Sequence, residues 1–247
     1  MIILEINSIQ GRQETLCIKV PKVYDWVTRQ VDVPVQSFTG ETGLGLLDFE
    51  APNGTNGTDP LDPCEFLAGG GALSVECIIT DADGNPVDPL APHSILCTEI
   101  PQIGGRQDAN FTLPDGETIT LQKVKVLKKG HFVVRVSNAL GEYVTSQAQP
   151  FAVAEKFFLC APEGTFLQCE ITDFECDANI ICGKDENKDP EFRQIDVSIN
   201  MCQNVQMEAT VKLEITADFC HPRPEIPFDC PPLSFPPQCP EIFPGNS

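Results

Sequence analysis

The chain is poor in the residues that do chemistry. It has three histidines, one tryptophan and two tyrosines in 247 residues. Neither Gly-x-Ser-x-Gly, His-Glu-x-x-His nor a phosphate-cradling glycine loop is present, so the common hydrolase, zincin and nucleotide-binding signatures are excluded. Two cysteines never fall three apart, and the histidines (His93, His131, His221) are not clustered. That spacing argues against a structural zinc site. Apolar runs long enough to span a membrane as a helix are absent, and helix-length periodic runs are few. Positive charge is scarce as well. Sixteen Lys and Arg stand against thirty-six Asp and Glu, a formal net charge of −20. Nucleic acid and anionic membranes are therefore excluded as expected partners.

Cysteine, proline and glycine are plentiful: twelve, twenty-two and eighteen residues. An even, high cysteine count reads as a disulfide framework formed in an oxidising place. The opening stretch, MIILEINSIQGRQE, has neither a basic segment nor an apolar core of the secretory kind. Together these predict synthesis in the cytosol without a signal peptide and later oxidation on a spore or cell surface. Proline and glycine among short β-forming runs predict strands and turns.

Taken in order, residues 1–36 read as an N-terminal arm of short strands, with Tyr24 and Trp26 as aromatic anchors for a partner. Residues 37–71 read as a loop-rich linker. A β-sandwich domain is expected over 72–156. In it DADGNP (81–86) is a tight turn, Thr118–Leu127 an alternating strand, and Lys128-Lys129-Gly130 a turn before the next strand. Residues 157–219 read as a cysteine-rich second β unit containing the densest thiol cluster, FFLCAPEGTFLQCEITDFECDANIIC. Two long strands follow, Arg193–Cys202 and Val205–Thr216, with a hairpin expected at Cys202–Asn204. Residues 220–247 form a Pro-rich tail of extended character, with Phe228, Phe235 and Phe243 spaced among the prolines. An internal echo, CIITD at 77–81 and CEITD at 169–173, hints at duplicated β units. The predicted fold class is all-β, an Ig-like or jelly-roll β-sandwich of one or more domains, with an extended N-terminal arm and a Pro-rich tail.

Candidate sites follow from the thiols. Cys17, Cys230 and Cys239, in the terminal segments, are candidates for intermolecular bridges. Cys64, Cys77, Cys97, Cys160, Cys169, Cys176, Cys182, Cys202 and Cys220 are candidates for internal ones; pairing cannot be deduced from sequence. Asp81, Asp83, Asn85 and Asp88 have alternating oxygens that suit a calcium loop, but the glycine is misplaced and no bidentate Glu follows at the right distance, so a plain turn is the preferred reading. A productive base beside a thiol is not evident, so no catalytic residue and no cofactor is expected.

The segments CIKVPKVYDWV (17–27), VVRVSNALGEYV (133–144), CAPEGTFLQCEITDFECDANIIC (160–182) and INMCQNVQMEATVKLEITADFC (199–220) resemble cysteine-rich spore-surface proteins of endospore-forming bacteria, those of coat, exosporium and appendages. The resemblance implies a non-enzymatic subunit that associates with copies of itself, and with other spore-surface proteins, into a disulfide-cross-linked fibre or lattice. Strand donation between subunits is part of that expectation. Two other classes remain open at this point: a surface-displayed binding module, such as an adhesin or carbohydrate-binding domain, and a virion or phage-tail component. The sparse Trp and Tyr content counts against a sugar platform.

Overall fold

Alternation of apolar and polar residues dominates the chain, and alternation builds strands. The computed structural model describes residues 14–52 and 60–217. Its strands are β1 (Glu14–Thr39), β2 (Leu73–Thr80), β3 (Leu96–Glu99), β4 (Gln107–Thr112), β5 (Thr118–Asn138), β6 (Tyr143–Thr145), β7 (Gln149–Leu159), β8 (Phe166–Lys184) and β9 (Pro190–Ala217). Two short helices, α1 (Gly40–Leu47) and α2 (Pro63–Phe66), lie between β1 and β2. The protein is all-β, with two antiparallel sheets.

One sheet has three strands in the order β1-β9-β8. The other is centred on β5. Along one edge of β5 run β2, β3 and β4 end to end; along the other run β6 and β7. The inner face of β5 carries Val124, Val126, Phe132, Val134 and Val136, all fully buried. Against them β9 presents Ile195, Val197, Ile199, Met201, Val205 and Met207.

Contacts divide the chain into two compact units: Val23–Ala209, and Met1–Lys22 with Thr210–Ser247. The sandwich is the first. Of the stretches read as separate domains, 72–156 and 157–219, the first and residues 157–209 of the second fold together in it. The expected arm contributes from Val23 onward: Val33 and Phe38 are core residues and Tyr24 packs on the core. The expected linker 37–71 also supplies core, through Leu47, Phe49, Ala51, Cys64 and Leu67. Of the second unit, 14–22 and 210–217 are described; Leu213 and Ile215 there are 45% and 37% exposed.

Two expected breaks are absent. β5 runs without a turn through Lys128-Lys129-Gly130, because Lys128 is inward and fully buried. Gly130 serves close packing: a Cβ there would lie 2.5 Å from the Phe151 ring. β9 likewise runs without a hairpin through Cys202–Asn204, because Gln203 is inward and fully buried.

Lys128, Gln203, Glu155 and Arg29 form one polar layer. Glu155 Oε2 accepts from Lys128 Nζ and, at 2.7 Å, from Gln203 Nε2. Arg29 lies 3.7 Å from Glu155 Oε1 and 4.2 Å above the Phe157 ring. On each strand the layer separates one hydrophobic cluster from another: Val126 from Phe132 on β5, Phe157 from Val153 on β7, Val205 from Met201 on β9, Val27 from Val31 on β1. Burial pushes the Lys128 pKa below the ordinary lysine value, opposed by its bond to Glu155 and that carboxylate's charge.

Candidate functional site

Among the described residues the thiols fall into two sets. Strand β8 places Cys169 and Cys176 at inward positions and Cys182 near its end. Cys169 and Cys176 meet partners from the other sheet, Cys97 on β3 and Cys77 on β2, and Cys182 meets Cys64 on α2. The bridges are Cys64–Cys182, Cys77–Cys176 and Cys97–Cys169, with Cα–Cα distances of 5.9, 5.5 and 6.2 Å. They nest one inside another along the chain. Local chemistry sets the outermost: Asp62 caps α2 by accepting from the Cys64 and Glu65 amides at 2.7 and 3.3 Å, Pro63 begins the helix, and Asp62 Oδ2 also accepts from the Phe192 amide at 2.8 Å. The cap therefore holds Cys64 beside the start of β9, where Cys182 pairs with Phe192.

The second set is free: Cys17, Cys160 and Cys202. Cys17 is exposed on β1. Cys160 and Cys202, expected among the internal bridges, are placed outside them. Cys160 follows the end of β7, exposed, with its amide donating to Asp25 Oδ2 at 2.8 Å. Cys202 is half-buried at an outward position of β9, opposite Asp173, because the alternation that sends Met201 and Gln203 inward turns it out. Cys220, Cys230 and Cys239, and the aromatic residues Phe228, Phe235 and Phe243, lie outside the described residues. Trp26 is 60% exposed and Tyr24 packs on the smaller core cluster, so the two aromatics of the expected arm part company.

The calcium candidate is a hydrogen-bonded turn. Asp81 accepts from the amides of Asp83 and Asn85 and from Asn85 Nδ2, each at 2.9 Å, and Gly84 takes φ +85°. The Asn85 side chain, then the backbone donors, lower the Asp81 pKa. Among the described residues no group of three or more His, Cys, Asp or Glu is placed to hold a metal ion. No helix among them is long and apolar enough to cross a membrane.

A cleft of about 700 Å³ opens beside Arg106, between the segment after β3 and the Pro162–Thr165 turn before β8. Its one guanidinium is spent. Arg106 donates to both Glu99 oxygens (2.8 and 2.7 Å), to the Ala161, Pro162 and Thr165 carbonyls (3.0, 3.3 and 2.9 Å) and to Thr165 Oγ1 (2.7 Å). Glu99 raises its pKa further. Five donors so saturated act as a clamp between two loops. Sequence reading missed both this clamp and the polar layer. The available signal was phase: Lys128 and Gln203 fall on the apolar beat of their strands.

No family model, no curated protein and no solved structure matches the chain.

Proposed function

We propose that this chain is a non-enzymatic structural subunit that self-associates into a fibre or lattice on a spore or cell surface and is locked there by intermolecular disulfides. The observation that supports this reading is the division of the thiols. Six are committed to internal bridges, two tying the two sheets and one tying α2 to β8, which makes a disulfide-stabilised protein suited to an oxidising environment. Cys17 and Cys160 remain free and exposed. An exposed thiol on a body already held by internal bridges can join copies without unmaking the fold. Joining two thiols forms one S–S bond and releases two protons and two electrons, taken up by molecular oxygen or by an external disulfide through exchange. Cys230 and Cys239 are further candidates for the same role, and the exposed Trp26 is a candidate anchor for the neighbouring subunit.

Electrophoresis of oxidised protein, with and without reductant, tests this reading. The expected result is a ladder that collapses on reduction and that shortens in Cys17→Ser and Cys160→Ser variants whose three internal bridges are intact. A species that stays monomeric under both conditions overturns it and favours a surface-displayed binding module. Because Tyr24, Val27 and Arg29 belong to the sandwich, a truncation that removes the arm but spares the fold must stop at Lys22.

A further inference from the structure

The two outer faces of the sandwich carry opposite charge. The β5 register that turns Val124, Val126 and Lys128 inward turns Lys123, Lys125, Lys129 and Arg135 outward, and Lys156 of β7 joins them. Five of the chain's sixteen cationic side chains thus share one sheet face. Among the strand positions of that face the one carboxylate is Glu76, opposite Arg135. Lys125 stands directly opposite Lys156, and Lys125, Lys129 and Lys156 form no salt bridge among the described residues. Like charges so placed are destabilising. In a chain with thirty-six carboxylates, this uncompensated cluster calls for an external anion.

The other outer face supplies one. β8 turns Glu170, Glu175 and Asp177 outward, with Asp173 at a register shift beside them, and carries no Lys or Arg from Phe166 to Gly183. Their β9 neighbours, Asn204, Asn200 and Ser198, are neutral. Lys123 to Lys129 spans about 20 Å and Glu170 to Asp177 about 23 Å at the strand rise of about 3.3 Å per residue.

We infer that the basic outer face of β5 and β7 docks on the acidic outer face of β8 in a second copy of this chain. The inference rests on the self-association reading above and names its non-covalent contact. The two patches differ, so the contact is heterologous: a docked pair keeps one unused face of each sign, and the row continues. Two-fold pairing would set lysine against lysine. At net charge −20 an unselective approach sets acid against acid, so this contact favours one orientation of the copies.

Sedimentation velocity on the full chain tests it, at about 10 mM and about 1 M salt, where the screening length falls from about 30 to about 3 Å. Variants Lys123→Glu/Lys125→Glu and Glu175→Lys/Asp177→Lys are compared after mass mapping confirms their three internal bridges. Wild type assembles at low salt and dissociates at high salt. Each reversed variant associates about tenfold or more weakly alone, and an equimolar mixture of the two assembles again, since a doubly acidic copy meets a doubly basic one. Wild-type assembly that both reversals leave unchanged, or a mixture that does not recover, overturns the stacking contact alone. Wild type that stays monomeric at both salts, and after oxidation, overturns the self-association reading with it. Retention of wild type on polyglutamate without assembly reassigns the basic face to an acidic polymer and overturns the second copy as its partner.

Discussion

Strands β5 and β8 belong to opposite sheets of the sandwich and are held by different physics. β5 is central, flanked on both edges, and its inner valines and Phe132 are fully buried. Each such side chain contributes about 1.5–3 kcal/mol by leaving water. β8 is an edge strand, and its inner residues Ile171, Phe174, Ala178 and Ile180 are only half-buried. Burial there is incomplete, and the three bridges fall on this strand and no other in its sheet. Covalent links therefore replace hydrophobic burial where the sheet runs out of neighbours.

Removing all three bridges should break the comparison most severely. Replacing the six bridged cysteines by Ala should cost roughly 10 kcal/mol, by loop-closure entropies of about 3–4 kcal/mol each, which is comparable to the whole stability of a domain. Circular dichroism should show a chain unfolded at 25 °C; a cooperative unfolding transition near the wild-type temperature would refute the role given to the bridges. Next comes the polar layer. Glu155→Ala leaves Lys128 buried and unpaired and should cost about 3–5 kcal/mol in urea unfolding, whereas Lys128→Met/Glu155→Leu/Gln203→Leu, which empties the layer of all its buried polar groups, should lie close to wild type.

The same lysine gives a pH signature. Its folded pKa lies below the ordinary 10.5, so the unfolded chain holds the proton more tightly. Stability from this group must therefore rise as pH climbs from its lowered folded value towards 10.5. Lys128→Met should remove that increment, seen as a flatter alkaline limb in thermal melts; an unchanged limb would mean that the burial of Lys128 is misjudged. Gly130→Ala should cost about 1–3 kcal/mol through overpacking against Phe151, and Phe151→Leu in the same chain should recover part of it. The smallest effect is expected for Arg106→Lys. It loses the bidentate Glu99 pair and most loop carbonyls and should cost about 1–2 kcal/mol; equal stability by calorimetry would show that the clamp is dispensable.

The fold class was legible because alternation is a backbone property: Val205, Met207, Val197 and Ile199 announce their strand without help from the rest of the chain. Strand limits were not. Lys128-Lys129-Gly130 has the composition of a turn, and only Glu155, twenty-seven residues on, makes a buried lysine tolerable there. Cys202–Asn204 misleads for the same reason. The pairing of thiols is a tertiary fact, and Cys160 separates from Cys169, Cys176 and Cys182 only because it follows the end of β7 while they lie on β8, the first two pointing inward. The turn at Asp81 was readable, since Asp81, Asp83, Gly84 and Asn85 contain all the partners of its carboxylate.

A disulfide map of oxidised, assembled protein, made by mass spectrometry of unreduced peptides, tests the division of the thiols most directly. The account predicts Cys64–Cys182, Cys77–Cys176 and Cys97–Cys169 within each chain, and Cys17 or Cys160 in peptides that join isotopically distinct copies. Cross-links between copies through the six framework cysteines, with Cys17 and Cys160 still free thiols, would contradict it.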